Sequence, residues 1–296
     1  MRPKSRTLLL FSLLLPCFAA GLGLADPAPS PPPSRLPFRE FGLSERAAAA
    51  HLLDRFGFGA RPGEVDRVVA MGLERWLDRQ LAGTFAEAEL EKRLAPLRTL
   101  ALPASEIARL YPNPGLVLRQ AAQAGIALPA GGEEGESAEV ERRRLGPVLR
   151  FAREQGYRPQ REMLGELLAQ KLLRAVYAEN QLQEVLTDFW FNHFYVSLTD
   201  NTTRSHVLAY ERDAIRPHIL GKFRDLLEAT ARHPAMLLYL DNAQSVAPGF
   251  QPPGANGPRG LNENYARELM ELHTLGVDGG YTQRDVTELA RMLTGW

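Results

Sequence analysis

Apolar residues recur along this chain at helical spacing from Ser44 onward, and no alternating β-branched run is long enough to specify a strand. Ser44 reads as the cap of a helix over 46–56, closed by the turn Gly57-Phe58-Gly59. A second helix is expected over 62–81, with Val65, Val68, Val69, Leu73, Trp76 and Leu77 on its apolar side, and the two should form a hairpin. A third is expected over 85–100. The next strong pattern, 162–179, puts Leu164, Leu167, Leu168, Leu172 and Val176 on one side, and a further helix runs from Gln181 into the aromatic run FWFNHF at 189–194. Helices over 205–215, 217–231 and 235–240 follow. Asn262 should cap a helix to Leu275, and Thr282 opens the last one with Asp285 three residues on, close to a capping box. Glycine-rich, acidic residues 128–139 and the Gly/Pro-rich stretch 246–261 read as loops. The expected class is all-α: a multi-helix bundle of amphipathic helices with long loops and no sheet.

The amino terminus has a different pattern. Arg2, Lys4 and Arg6 precede an apolar run from Leu8 to Leu15, and small residues lead to Ala25 before the first acid, Asp26. This is the layout of a secretory signal peptide over 1–25, which directs the chain to the periplasm or the extracellular space. The run is too short to span a bilayer, and no later stretch is longer, so no transmembrane segment is expected. Residues 26–37 hold six prolines and read as an extended linker, with the helical domain over 38–296. Cys17, the only cysteine, lies inside the signal, so the mature chain is disulfide-free and without a thiolate nucleophile.

Composition adds one exclusion. The 35 basic and 35 acidic residues cancel, so no global field points to nucleic acid or an anionic membrane. Only four of the basic residues are lysines, a bias toward the planar, bidentate pairing of arginine that a GC-rich genome would equally produce.

Four stretches resemble one bacterial family, the domain-of-unknown-function 1800 family. They are AAHLLDRFGFGARPGEVDRVVAMGLERWLDRQL at 49–81, FWFNHF at 189–194, YERDAIRPHILGKFRDLLEATARHPAMLLYLDN at 210–242, and NENYARELMELHTLGVDGGYTQRDVTELARMLTGW at 262–296. The resemblance implies an exported, largely helical protein. Family members usually continue past the TGW, so the chain is expected to be the amino-terminal part of a longer domain. Their genes often neighbour those of the domain-of-unknown-function 1501 family, exported proteins that look like phosphatases or sulfatases. A binding or accessory role beside such a partner is therefore the expected function.

Candidate chemistry is sparse. The GxSxG elbow, the Walker loop, GxGxxG after a strand, HExxH and CxxC are all missing, which argues against the common serine hydrolases, P-loop enzymes, Rossmann oxidoreductases and zincins. Asp278 to Asp285 has the outline of half a calcium loop, but Thr274 and Gly276 stand where carboxylates are needed, and helix capping explains the segment better. On the 262–275 helix, Tyr265, Leu269 and Leu272 form the apolar face, with His273 inside it. Glu271 has Arg267 as an i,i+4 partner, whereas Glu268 sits at the polar boundary without one.

His193 lies among Phe189, Trp190, Phe191, Phe194 and Tyr195, rings that would strip water from the imidazole and leave it neutral. Both histidines have a plain reading as core residues bonded to carbonyls. They also have a functional one: with Glu268 and Asp241 they could form a hydrolytic or metal-binding site without cysteine, although no His-x-x-His or Glu-x-x-His spacing supports it. No cofactor is specified. His233, before Pro234, is expected as a cation at a helix end. His51, His206 and His218 read as structural.

Overall fold

The computed structural model describes residues 36–128, 137–251 and 259–296. The expected signal peptide and all but the end of the proline-rich linker lie outside them, as does the middle of each expected loop. Among the described residues every regular element is helical, as the periodicity requires.

The first three helices form a core of their own. Helix α1 (Glu45–Phe56) starts at Ser44, whose Oγ accepts the amide of Ala47. The expected 62–81 helix is in fact two, α2 (Glu64–Met71) and α3 (Leu73–Ala82), because Gly72 takes φ +91° and turns the chain between them. The apolar face still comes together: Val68, Leu73, Trp76 and Leu77 are buried against Ala48, Ala49, Leu52 and Leu53. Full burial of a large side chain in such a cluster contributes about 1.5–3 kcal/mol.

A short α4 (Ala88–Leu94) and a 3-10 turn, Arg98–Ala101, replace the single helix expected over 85–100. Helices α5 (Ala104–Leu110), α6 (Pro114–Gln123) and α7 (Ala138–Glu154) follow, in a region where the apolar pattern announces no element. They are short or strongly charged, and α7 holds Pro147 within it.

The second core is built on α8 (Gln160–Tyr177) and α9 (Gln181–His193). The buried positions of α8 are Gln160, Met163, Leu167 and Gln170. Of the five apolar positions read on one side, Leu167 is buried and Leu164 packs partly buried against this core, while Leu168, Leu172 and Val176 stand 57%, 68% and 52% exposed and face outward. The reason is that polar Gln170 and Arg174 point inward toward buried carboxylates and rotate the helix away from its apolar side.

After the 3-10 turn Arg204–His206 comes a one-turn α10 (Val207–Ala209), continuous with a π-helical segment, Tyr210–Ile215. A further 3-10 turn, Arg216–His218, stands where an α-helix from Pro217 was expected, and α11 (Phe223–Arg232) begins only at Phe223. Helix α12 is Pro234–Tyr239, followed by α13 (Asn264–Glu271) and α14 (Gln283–Leu293). The expected capping box is complete: Thr282 Oγ1 accepts the Asp285 amide, and the Asp285 carboxylate accepts the Thr282 amide. Tyr210, Phe194, Met163, Tyr265, Val286 and Ala290 meet in this larger core.

A polar seam joins the two cores. Gln80, on α3, donates to the Glu179 carbonyl at 2.7 Å and accepts the Leu182 amide at 3.1 Å. Glu87 accepts the amides of Glu179 and Asn180 at 2.9 and 2.8 Å. The turn between α8 and α9 is thus held by side chains from the first third of the chain. No helix of the described residues is long and apolar enough to cross a membrane.

Candidate functional site

Two polar clusters stand out, and the sequence pointed to only one of them. The first lies where α9 ends. Phe194 leaves the helix with its ring wholly buried, and its carbonyl accepts Tyr210 Oη–H at 2.9 Å. His193 is thereby fixed edge-on to Phe194 and Trp190, with ring centroids 4.6 and 5.4 Å away. Its Nε2 lies 3.1 Å from the carbonyl oxygen of His273. A carbonyl only accepts, so in the neutral ring Nε2 carries the proton and Nδ1 keeps its lone pair, the form suited to a base or a ligand.

His273 arrives from α13, though not as the periodicity implied. The α-helix ends at Glu271. The His273 amide bonds back to Glu268 O, and the Leu275 and Gly276 amides to Met270 O, with Gly276 at φ +86°. The widened turn swings His273 into the core while Leu272, assigned to the apolar face, is 64% exposed. Burial, and then the neighbouring His193, push the His273 imidazole down to about 4. Its Nδ1 is sealed from solvent without a hydrogen-bond partner, and so is Oε2 of Glu268. Glu268 is otherwise partly open; burial, and next the proximity of Glu271, raise its carboxyl above the ordinary range.

Asp241 does not join this group. It sits in the left-handed region at φ 59°, capping the 3-10 turn Asn242–Gln244, and its Oδ1 accepts Gln244 Nε2 at 2.5 Å. Among the described residues no three His, Cys, Asp or Glu side chains converge as a metal site. Two further readings are corrected by geometry. Arg267 pairs with Glu263 and Gln283 rather than with Glu271. His233 is not a cation at a helix end: its Nδ1 accepts the Ala235 amide as the N-cap of α12, and burial followed by His206 lowers it to about 4. The calcium-like outline is also explained, since Asp285 is committed to the capping box.

The second cluster is centred on Glu211, 2% exposed, at the start of the π-helical segment. Its Oε1 accepts Gln170 Nε2 at 2.7 Å and Arg216 Nη2 at 3.3 Å, and its Oε2 lies 2.7 Å from Lys171 Nζ. Arg216 also donates to the buried Glu184 at 2.8 Å, and Arg174 reaches Glu184 at 3.5 Å. Burial would raise the Glu211 carboxyl, but Lys171 and then Arg216 outweigh it and hold it below the usual carboxylate range. Burial, and then Arg216, lower Arg174 from the usual guanidinium value. Glu211 and Arg216 are five residues apart, and a π turn closed by the Arg216 amide on Glu211 O brings them onto one side. Scanning for three- and four-residue spacings passes over such a pair; the one trace in the sequence is the i,i+5 opposite charge inside YERDAIR.

The fold and these clusters define an all-helical protein with two cores, a pairing of the half-buried His193 with the buried His273, and a buried ion network. The family model described as a protein of unknown function, DUF1800, matches residues 51–296, and the chain belongs to that family. No curated protein and no solved structure matches it.

Proposed function

We propose that this protein is an exported binding protein, an accessory partner of a secreted phosphatase- or sulfatase-like protein of the domain-of-unknown-function 1501 family. The observation that carries the binding role is the outward stripe of α8. Leu168, Leu172 and Val176 lie one and two turns apart, each more than half exposed, with Phe58, also 52% exposed, beside Leu172 and Val176. Neighbouring large apolar side chains left open in this way mark an interaction face rather than chance exposure. The leader over residues 1–25 supports export. Co-expression of the full chain with such a partner tests the reading: the two should co-elute in gel filtration, and Leu172→Glu should separate them without lowering the melting temperature. Separate elution of the wild-type pair, or an unprocessed precursor retained in the cytosol, would refute it.

The sealed, unpartnered nitrogen of His273 and oxygen of Glu268 favour a second reading, a hydrolase in which His193 Nδ1 acts as base and Glu268 as a proton-carrying acid. Assay of ester, phosphate-ester and sulfate-ester panels, with His193→Ala and Glu268→Gln as controls, tests it. Turnover that is unaffected by either substitution would remove these residues from any mechanism.

A further inference from the structure

Beside the Glu211 network, a cavity of about 190 Å³ opens between α8, α9 and the π-helical segment. Its charged lining sets two cations, Lys171 and Arg216, against three carboxylates, Glu184, Glu211 and Asp188. Arg174 is outside this lining and reaches Glu184 only at 3.5 Å. Both lining cations are drawn onto the buried side: Lys171 Nζ lies 2.7 Å from Glu211 Oε2 and 4.5 Å from the centre of the Phe191 ring, and Arg216 is bonded to Glu184 and Glu211. The carboxylates are less completely served. Oε2 of Glu211, in a residue only 2% exposed, makes no hydrogen bond, and both arginine contacts of Glu184 fall on its Oε1. Asp188 stands 54% exposed at the entrance, and its carboxylate contacts are long, 3.5 Å to Lys171 and 3.4 Å to Asn192 Nδ2. Beside it the entrance is apolar, with Phe58 and Leu172 each more than half exposed.

We propose that this cavity binds a small organic cation, a primary ammonium on a short apolar body, its head against Asp188 and the Oε2 atoms of Glu184 and Glu211, its body against Phe58 and Leu172. An ammonium has three donors and no acceptor, so it matches a wall with a surplus carboxylate, whereas an anion would meet three like charges. Lys171 does not supply this charge to Asp188 itself. Its ammonium is held on Glu211 and the Phe191 ring, which leaves Asp188 too far for a hydrogen bond. The π turn places Arg216 beside Glu211 and so keeps that carboxylate ionised within the buried wall. The cavity is smaller than those that hold drug-sized ligands, which limits the body to a single ring or a short chain.

Calorimetric titration of the full chain with phenethylammonium, the neutral phenylethanol, the anionic phenylpropanoate and methylammonium tests this. Phenethylammonium should bind saturably in the millimolar range or tighter, roughly tenfold more strongly than phenylethanol, and phenylpropanoate should not bind. Methylammonium, which lacks the apolar body, should be weaker by roughly tenfold. Asp188→Asn, an exposed and nearly isosteric change, should keep the wild-type melting temperature and weaken phenethylammonium by roughly three- to tenfold. Phe58→Ala should weaken phenethylammonium and leave methylammonium unchanged. Absence of saturable phenethylammonium binding, equal binding of phenylethanol, or an affinity unchanged in Asp188→Asn would overturn the proposal.

Discussion

His273 and His233 are both held neutral by burial, each near 4 where an unconstrained imidazole titrates near 6.5. In the unfolded chain they take up a proton as the pH falls through 6.5, whereas in the folded chain they do so only near 4. Between those values the unfolded state binds more protons, so stability falls as the pH drops from 6.5 to 4 and is insensitive to these groups above 6.5. Each histidine contributes a slope of up to about 1.4 kcal/mol per pH unit in that window. Urea unfolding of His233→Asn, which keeps a capping acceptor, should show a shallower loss over that range than the wild type. An identical slope would mean that His233 is protonated in the native state. At the residue scale the sequence did name His193, His273 and Glu268, because polar groups in apolar company are visible in a one-dimensional pattern. Asp241 was named as a carboxylate that could converge with them, and its side chain is spent on a local turn. Glu211, the most deeply buried carboxylate among the described residues, was missed because its partners Lys171 and Gln170 are about forty residues away in sequence.

Helix boundaries followed local chemistry wherever a cap or a glycine decided them. The Thr282–Asp285 box forms as read, and Thr282→Ala should cost about 1 kcal/mol, measured by thermal unfolding. Gly72 is different: its left-handed φ cannot be inferred from a continuous apolar face, and Gly72→Ala should destabilise by about 1 kcal/mol or more where a mid-helix glycine would have been improved by alanine. The π-helical segment lies beyond any period-3.6 scan. Replacing Glu211 by Ala would leave Lys171 and Arg216 facing one another's charge in a buried setting, a loss of roughly 3–5 kcal/mol. A change below about 1 kcal/mol in chemical denaturation would show that the network is solvated.

Across the molecule, the two cores are linked by a polar seam in which Arg61, Gln80, Phe85 and Glu87 hold the α8–α9 turn. Gln80, 1% exposed, satisfies a carbonyl and an amide of the α8–α9 turn, and Gln80→Ala would orphan both at about 1–3 kcal/mol each. Hydrogen exchange should then rise first at residues 178–182, ahead of either core; uniform acceleration would mean that the hairpin and the larger core unfold as one unit.

What the sequence alone determined is the helical class, the α1–α3 hairpin core and the chemistry available at the ends of α9 and α13, since each follows from residues within a few turns of one another. What the tertiary structure decided is which face of α8 is inside. Gln170 and Arg174 reach carboxylates brought from Glu184 and Glu211, and the cost of leaving those charges unpaired exceeds the gain from burying Leu168, Leu172 and Val176. A hydrophobic pattern records the apolar gain but carries no information about distant charges, so the outward stripe and the cavity beside it emerge only when the helices are assembled.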